Sequence, residues 1–322
     1  MLGLATVCWG VSFPLIKAQG QLSALLLPEA GGMFFTAMTV APRFWLAALV
    51  VVAWRPRACF GLTRSEWKQG VGLGAFAAVG MILQNDGLHY TEASTSAFLT
   101  QLYAVLIPLW LALRTRRNPG GAIWGAVALV LAGGAMLAGF DPRALALGRG
   151  EAETLACSVF FMGQILWLER PEFAGNRVLS VTVIMFGVQA VVGTGLAAVS
   201  GGGLAEVATL LAAPGWWGIM LVLTVVCTLA AYLLMNTYQP RITSTEAGLI
   251  YCAEPIFGSL AALMLPALLS GWLGLAYANE TLTLTLLVGG GLITLANVLV
   301  QLRPPPQPTL APSVATAETR TE

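Results

Sequence analysis

Charge is scarce in this sequence. Only 10% of its 322 residues are Asp, Glu, Lys or Arg, where a soluble globular domain carries about 25%. So few charges cannot cover a water-facing surface of this length, and a soluble reading falls behind a membrane one. Histidine is almost missing. His89 stands alone and no G-x-S-x-G occurs, which excludes a His-pair metalloprotease and argues against a Ser–His hydrolase. The five cysteines, Cys8, Cys59, Cys157, Cys227 and Cys252, form no C-x-x-C pair, and four lie in apolar runs. They read as free, buried thiols, not as a disulfide frame or a zinc site. No G-K-[ST] follows a strand-like run, so ATP-driven transport by this chain is not expected. A net charge of +1 offers nothing to nucleic acid. The first apolar run has no basic segment before it and no small-residue cleavage pattern after it, so it reads as a membrane helix and not a signal peptide.

What the sequence does have is apolar length. Hydrophobic residues make up 57% and mean hydropathy is +0.79. A spanning helix needs about 20 mostly apolar residues, and ten stretches qualify. In the first half they are Leu2–Lys17, Met33–Trp54, Lys68–Leu88, Ala93–Leu113 and Gly121–Phe140. In the second they are Glu151–Leu168, Val178–Ser200, Pro214–Tyr238, Ser244–Leu265 and Leu282–Gln301. The fold class is therefore an all-α membrane protein of about ten transmembrane helices.

With a cytoplasmic N-terminus, twelve Lys and Arg residues fall inside: Arg55, Arg57, Arg64, Lys68, Arg114, Arg116, Arg117, Arg170, Arg177, Arg241, Arg303 and Arg320. Three fall outside: Lys17, Arg143 and Arg149. That bias places both termini in the cytoplasm of a multi-pass inner or plasma-membrane protein. Residues 303–322, rich in Pro, Ala and Thr, read as a disordered cytoplasmic tail. Two outside connections, Gly20–Gly32 and Pro266–Thr281, are long and apolar, and each is read either as holding a short interfacial helix or as a loop packed over the bundle.

Asn85–Leu99 and Asn236–Ile250 align at a constant offset of 151, with Asn85 on Asn236, Ser94 on Thr245, Ala97 on Gly248 and Leu99 on Ile250. Each segment joins the third span of its half to the fourth, and each is followed by an in-helix proline, Pro108 or Pro255. Five is odd, so a repeated five-helix unit enters the bilayer upside down. The expected architecture is two inverted five-helix repeats around a mid-membrane site, as in many secondary transporters.

Further residues resemble a known family. Trp9-Gly10-Val11-Ser12-Phe13 is similar to the W-G-x-x-F opening of EamA-like transporters in the drug/metabolite transporter superfamily, and Arg43-Phe44 to their R-F. Tyr90-Thr91, then Ala97 through Tyr103 and Pro108, resemble the fourth-helix signature. Glu254-Pro255 resembles the E-P of the second half, and Glu280 with Leu282 and Gly289–Gly291 the lead into the last helix. Arg116 and Arg117 depart from the pattern, standing where a first-half G-E belongs, and the gap from Pro255 to Glu280 is longer than usual. The resemblance implies two EamA-like units, residues 1–140 and 148–302. It also implies movement of amino acids, other metabolites, nucleotide sugars or drugs, often outward.

Glu254 carries most information about a site. It lies mid-span, where ionisable groups face the bundle interior or a cavity, and Pro255 beside it removes a backbone donor. It binds a cationic group, or exchanges a proton, or else locks helices together as a paired or protonated acid. Arg43 is the second buried charge: it pairs with a carboxylate, snorkels outward or contacts an anionic substrate, and a structural ion pair is the first reading. Polar and aromatic groups at matching depth complete a candidate cavity: Trp9 and Ser12, Gln84 and Asn85, Gln101 and Tyr103, Gln164 and Trp167, Tyr232 and Asn236, and Tyr251. Aromatic walls with a few amides suit a small amphipathic solute; a bare ion wants a denser oxygen shell.

The functional expectation is a carrier of a small organic metabolite working by alternating access, with export of amino acids or related compounds first. Alternatives are a multispanning membrane enzyme and a nucleotide-sugar or drug carrier of the same superfamily. The expected partners are substrate, bilayer and protons, with no cofactor and no metal, in a monomer or homodimer.

Overall fold

A chain crossing lipid must satisfy its backbone groups within itself, and helices do so. The computed structural model describes residues 1–116, 118, 120–137, 148–242 and 244–301, and every regular element among them is helical. The tail 303–322, the end of the fifth span, Arg117, Arg143, Arg303 and Arg320 lie outside the described residues.

The first half contains α1 (Leu2–Leu26), α2 (Gly32–Trp54), α3 (Arg64–Gly87), α4 (Ala93–Thr100), α5 (Tyr103–Thr115) and α6 (Gly121–Leu137). The second contains α7 (Arg149–Leu168), α8 (Val178–Val199), α9 (Leu204–Ala212) and α10 (Pro214–Thr224), then a π turn (Val225–Ala230) leading into α11 (Ala231–Tyr238). It closes with α12 (Ser244–Tyr251), α13 (Glu254–Leu273) and α14 (Leu284–Gln301). Here α4–α5, α10–α11 and α12–α13 each make one pass.

Helix directions follow from side-chain neighbours. Gly193 packs on Ala41 and Gly202 on Phe34, so α2 and α8 are antiparallel. Gly72 against Trp167 and Gly87 against Gly150 make α3 and α7 antiparallel as well. Gly10 packs on Gly258, and Leu22 and Leu273 both approach Gly215, so α1 and α13 run the same way. Consequently α1 starts, and α7 ends, at one face of the bundle. That face carries Arg55, Arg57, Arg64, Lys68, Arg170, Arg177 and Arg241, and is called the basic face here; the other, with Glu92, Glu151, Glu153 and Glu280, is the acidic face. The two halves therefore enter from opposite faces. Their packing respects the exchange of halves: α2 pairs with α8 and α6 with α14, while α1 packs on α13 as α7 packs on α4 and α5.

On length and apolar composition alone, α2, α4–α5, α8, α10–α11 and α13 qualify as membrane spans, and α6 and α14 are shorter apolar helices. Helices α1, α3 and α7 are more polar because they line the interior. Their Gln19 and Ser23, Gln84 and Asn85, and Thr154, Ser158 and Gln164 are all buried.

Two span lengths depart from the sequence reading. Helix α1 does not stop at Lys17 but runs to Leu26, leaving a short link where Gly20–Gly32 was expected to be a long connection. Lys17 is tolerated because its ammonium donates to Thr91 O at 2.9 Å and to Glu92 at 3.0 Å. Likewise α13 continues through Pro266 to Leu273, and the remainder of Pro266–Thr281 holds no helix. Pro266 cannot donate to Ala262 O, and the backbone N–H of Glu280 takes that acceptor instead at 3.0 Å. The short extra helix is α9, capped where Glu206 accepts from Gly203 N–H at 2.9 Å. Cys157, Cys227 and Cys252 are buried, but Cys8 and Cys59 are only half-buried, contrary to the reading of all five as buried.

Candidate functional site

The fourth span of each half is interrupted, at Gln101–Leu102 and at Cys252–Ala253. Both interruptions are tight turns with i→i−3 bonds, Gln101 N–H to Phe98 O at 3.2 Å and Ala253 N–H to Ile250 O at 3.2 Å. They match at the same offset of 151 as the sequence repeat, so Tyr103 and Glu254 are equivalent first residues of α5 and α13. One bond ties them: Gln101 Nε2 donates to Glu254 Oε2 at 3.1 Å.

Beside these turns lies a central cavity of about 60 Å³ of water-accessible space, lined by both halves. Trp9 and Ser12 enter from α1, Gln84 from α3 and Tyr103 from α5. Gln164 enters from α7, Tyr232 from α11, Tyr251 from α12 and Glu254 from α13. Trp9 stands edge-on to Tyr232 and Tyr251, with centroids at 5.7 and 5.6 Å. Ser12 is turned back onto Trp9 O at 2.6 Å, and Gln84 donates to Thr100 at 3.2 Å.

Four of the residues singled out from sequence lie elsewhere. Gln101 sits behind the wall, bonded to Glu254. Asn85 turns back to Met81 O at 2.6 Å. Asn236 donates to Thr182 at 3.0 Å. Trp167 donates to Gln69 O at 3.2 Å, with the Arg170 guanidinium 3.9 Å over its ring. Met81, Thr100, Phe161, Ile165 and Met235 complete the lining and were not anticipated. Four of them are apolar and carry no chemical signature in a sequence that is mostly apolar; Thr100 is polar, and its hydroxyl is taken up by Gln84 and by Ser96 O.

Arg43 also lines the cavity and is 1% exposed. Among the described residues, the ion pair expected for it is not there. Its Nε donates to Thr228 Oγ1 and its Nη2 to Cys227 O at 3.2 Å, both in the π turn of the opposite half. A π turn displaces one carbonyl from the regular ladder, and Thr228 Oγ1 donates to Leu223 O at 2.9 Å across it.

A vestibule flanks the cavity on each side. Toward the basic face, about 450 Å³ of water-accessible space is lined by Gln69, Arg170, Asn176, Asn236 and Arg241 among others. Toward the acidic face, about 490 Å³ is lined by Lys17, Glu92, Ser94, Tyr277 and Glu280 among others. The barriers are thin. Met235 faces the cavity and Asn236 the basic vestibule, one helical step apart. On α1, Ser12 and Lys17 separate cavity from acidic vestibule by roughly 7 Å of helix rise. On the basic side Tyr251 Oη donates to Gln239 Oε1 at 2.9 Å, and Gln239 reaches Glu169 at 3.4 Å. On the acidic side Glu280 accepts from Ala93 N–H at 2.8 Å and from the Ser94 hydroxyl, capping α4. Arg149 there binds Glu153 and Asp86, and the hydrogen bond to Glu153, with the charge of Asp86 behind it, raises its already high basicity.

Residues 1–139 match the EamA-like transporter family. An uncharacterized transporter of Archaeoglobus fulgidus is 25% identical over 309 residues, covering 94% of this chain and 85% of that protein. A solved crystal structure shares the fold with a TM-score of 0.56, at 18% identity over 92% of this chain and 96% of its own. The resemblance to EamA-like transporters of the drug/metabolite transporter superfamily is borne out by these matches, and they point to a transporter, not an enzyme.

Proposed function

We propose that this EamA-like chain is a secondary carrier that moves a small organic metabolite across the cytoplasmic membrane by alternating access. One observation carries the reading: an aromatic-lined cavity holding a carboxylate and a guanidinium sits between two vestibules, and both halves build it beside breaks that match in register. Inverted halves that rock about such a cavity expose it to one vestibule and then the other. Residues 148–302 supply the second EamA-like unit.

Amino acids or related compounds, moved outward, are the first substrates to test. The cavity offers a carboxylate, a guanidinium, amides and aromatic faces, which suit a small amphipathic solute better than a bare ion. The basic face is taken as cytoplasmic from its arginines and lysines, which puts the N-terminus there. Glu254 is the candidate for exchanging protons or holding an amine. The protein works as a monomer, since the internal repeat already supplies two-fold related halves.

Counterflow in proteoliposomes tests the assignment. Labelled amino acids should accumulate transiently against a preloaded unlabelled pool. Chemical conversion of any supplied solute without exchange would establish the enzyme reading in its place.

A further inference from the structure

The two charges of the cavity are unusual in what they do not touch. Arg43 is fully buried in α2, and among the described residues no carboxylate lies within 4.0 Å of it. Glu254, on the same lining, is bonded to the neutral amide of Gln101. A guanidinium keeps its proton under all ordinary conditions, and a buried charge without a counter-charge is costly. Two of its nitrogens are anchored on Thr228 and on Cys227 O, neither of which is an anion. The third, Nη1, is buried without a partner among the described residues. A side chain held by two of its nitrogens is preorganised to offer the remaining one.

We propose that Arg43 is the anion-reading residue of the cavity, its Nη1 binding the carboxylate, or an equivalent singly charged head, of the transported solute. The solute is then monoanionic or zwitterionic; in the zwitterionic case Glu254 receives the ammonium. Simple amines and neutral lipophiles are rejected, because they leave the guanidinium desolvated and unmatched. This rests on the carrier reading above. Because the same guanidinium braces the π turn of the eighth span, solute bound at Nη1 is in contact, through one side chain, with a helix of the other half.

The test uses the full chain in proteoliposomes. Three labelled mixtures are compared in counterflow: the common amino acids, their decarboxylated amines and their deaminated acids. Wild type should exchange the two carboxylate-bearing mixtures and not the amines. Arg43→Gln should lose carboxylate exchange by at least about tenfold, the scale of a lost charge-assisted hydrogen bond. It should melt at or above the wild-type temperature, because an unmatched buried charge has been removed. A structural lock would instead melt lower. If Arg43→Gln does not fold, Arg43→Lys should melt as wild type while its half-saturating carboxylate concentration rises. Amine exchange equal to carboxylate exchange in wild type, or full carboxylate exchange by both variants, overturns the role of Arg43 and leaves the carrier reading standing. No exchange of any mixture by wild type overturns both.

Discussion

Glu66 offers the sharpest test of how the basic face is held. It is buried, 2% exposed, at the first turn of α3. Its oxygens accept from Arg177 Nε at 2.7 Å, Arg177 Nη2 at 2.9 Å, Arg177 N–H at 3.2 Å and Thr63 N–H at 2.9 Å. One carboxylate thus caps α3 and fixes the start of α8. The Arg177 hydrogen bonds hold its carboxyl at about 2, below the ordinary 4.5, against the opposing effect of burial. That difference corresponds to roughly 3 kcal/mol. Arg177 is 46% exposed, so screening by water reduces the contribution to about 1–2 kcal/mol. Glu66→Gln keeps an acceptor for the capping box and removes the charge alone. It should lower the melting temperature in detergent at neutral pH by roughly 5 °C. The acid binds fewer protons folded than unfolded, so its stabilisation is complete above about 4.5 and fades as pH falls toward about 2. Differential scanning fluorimetry of wild type, Glu66→Gln, Arg177→Gln and the double variant across pH measures this directly. Single variants that melt with wild type, or a double variant whose loss is their simple sum, would refute the bridge as a stabilising unit.

Three further outcomes are expected. Glu254→Gln, at wild-type protein levels, should reduce counterflow at least about tenfold or flatten its pH dependence; unchanged transport at every pH tested would remove Glu254 from the mechanism. Gly10→Val should cost roughly 1–3 kcal/mol, because a Cβ there would lie 2.7 Å from Gly258 N and 2.9 Å from Glu254 O, backbone atoms that cannot swing aside; a wild-type melting curve would contradict that close approach. Cysteines placed at Arg57 and Arg116 should be labelled by an impermeant maleimide from one and the same side of the membrane, and labelling from opposite sides would dismantle the alternating passes.

The ten passes and their inversion are legible in the sequence because lipid enforces apolar length and because arginine collects on one face. The ends of α1 and α13 are not. Lys17 and Pro266 look like stops until their surroundings are known: the partners of Lys17, Thr91 and Glu92, lie far away in sequence, and the acceptor that Pro266 leaves free on Ala262 is filled by Glu280 from beyond the end of α13. The polar half of the cavity follows from residue type and depth, which is how Trp9, Gln84, Tyr103 and Glu254 were reached. Depth alone does not fix helix rotation, however. Trp167 and Asn236 therefore share the chemistry of the lining residues, while Trp167 turns to Gln69 O and Asn236 lines the basic-side vestibule. The true partners of Arg43 were hidden for another reason: the π turn that presents Thr228 and Cys227 has no sequence signature.

Glu280 joins three pieces of chain with one residue. Its backbone fills the acceptor that Pro266 vacates on α13, and its side chain grips the first turn of α4. Any parting of the fourth and ninth passes at the acidic end must therefore break several polar contacts together or drag this rivet along with one side. Partial unzipping gains little there, which makes opening at that end an all-or-nothing event.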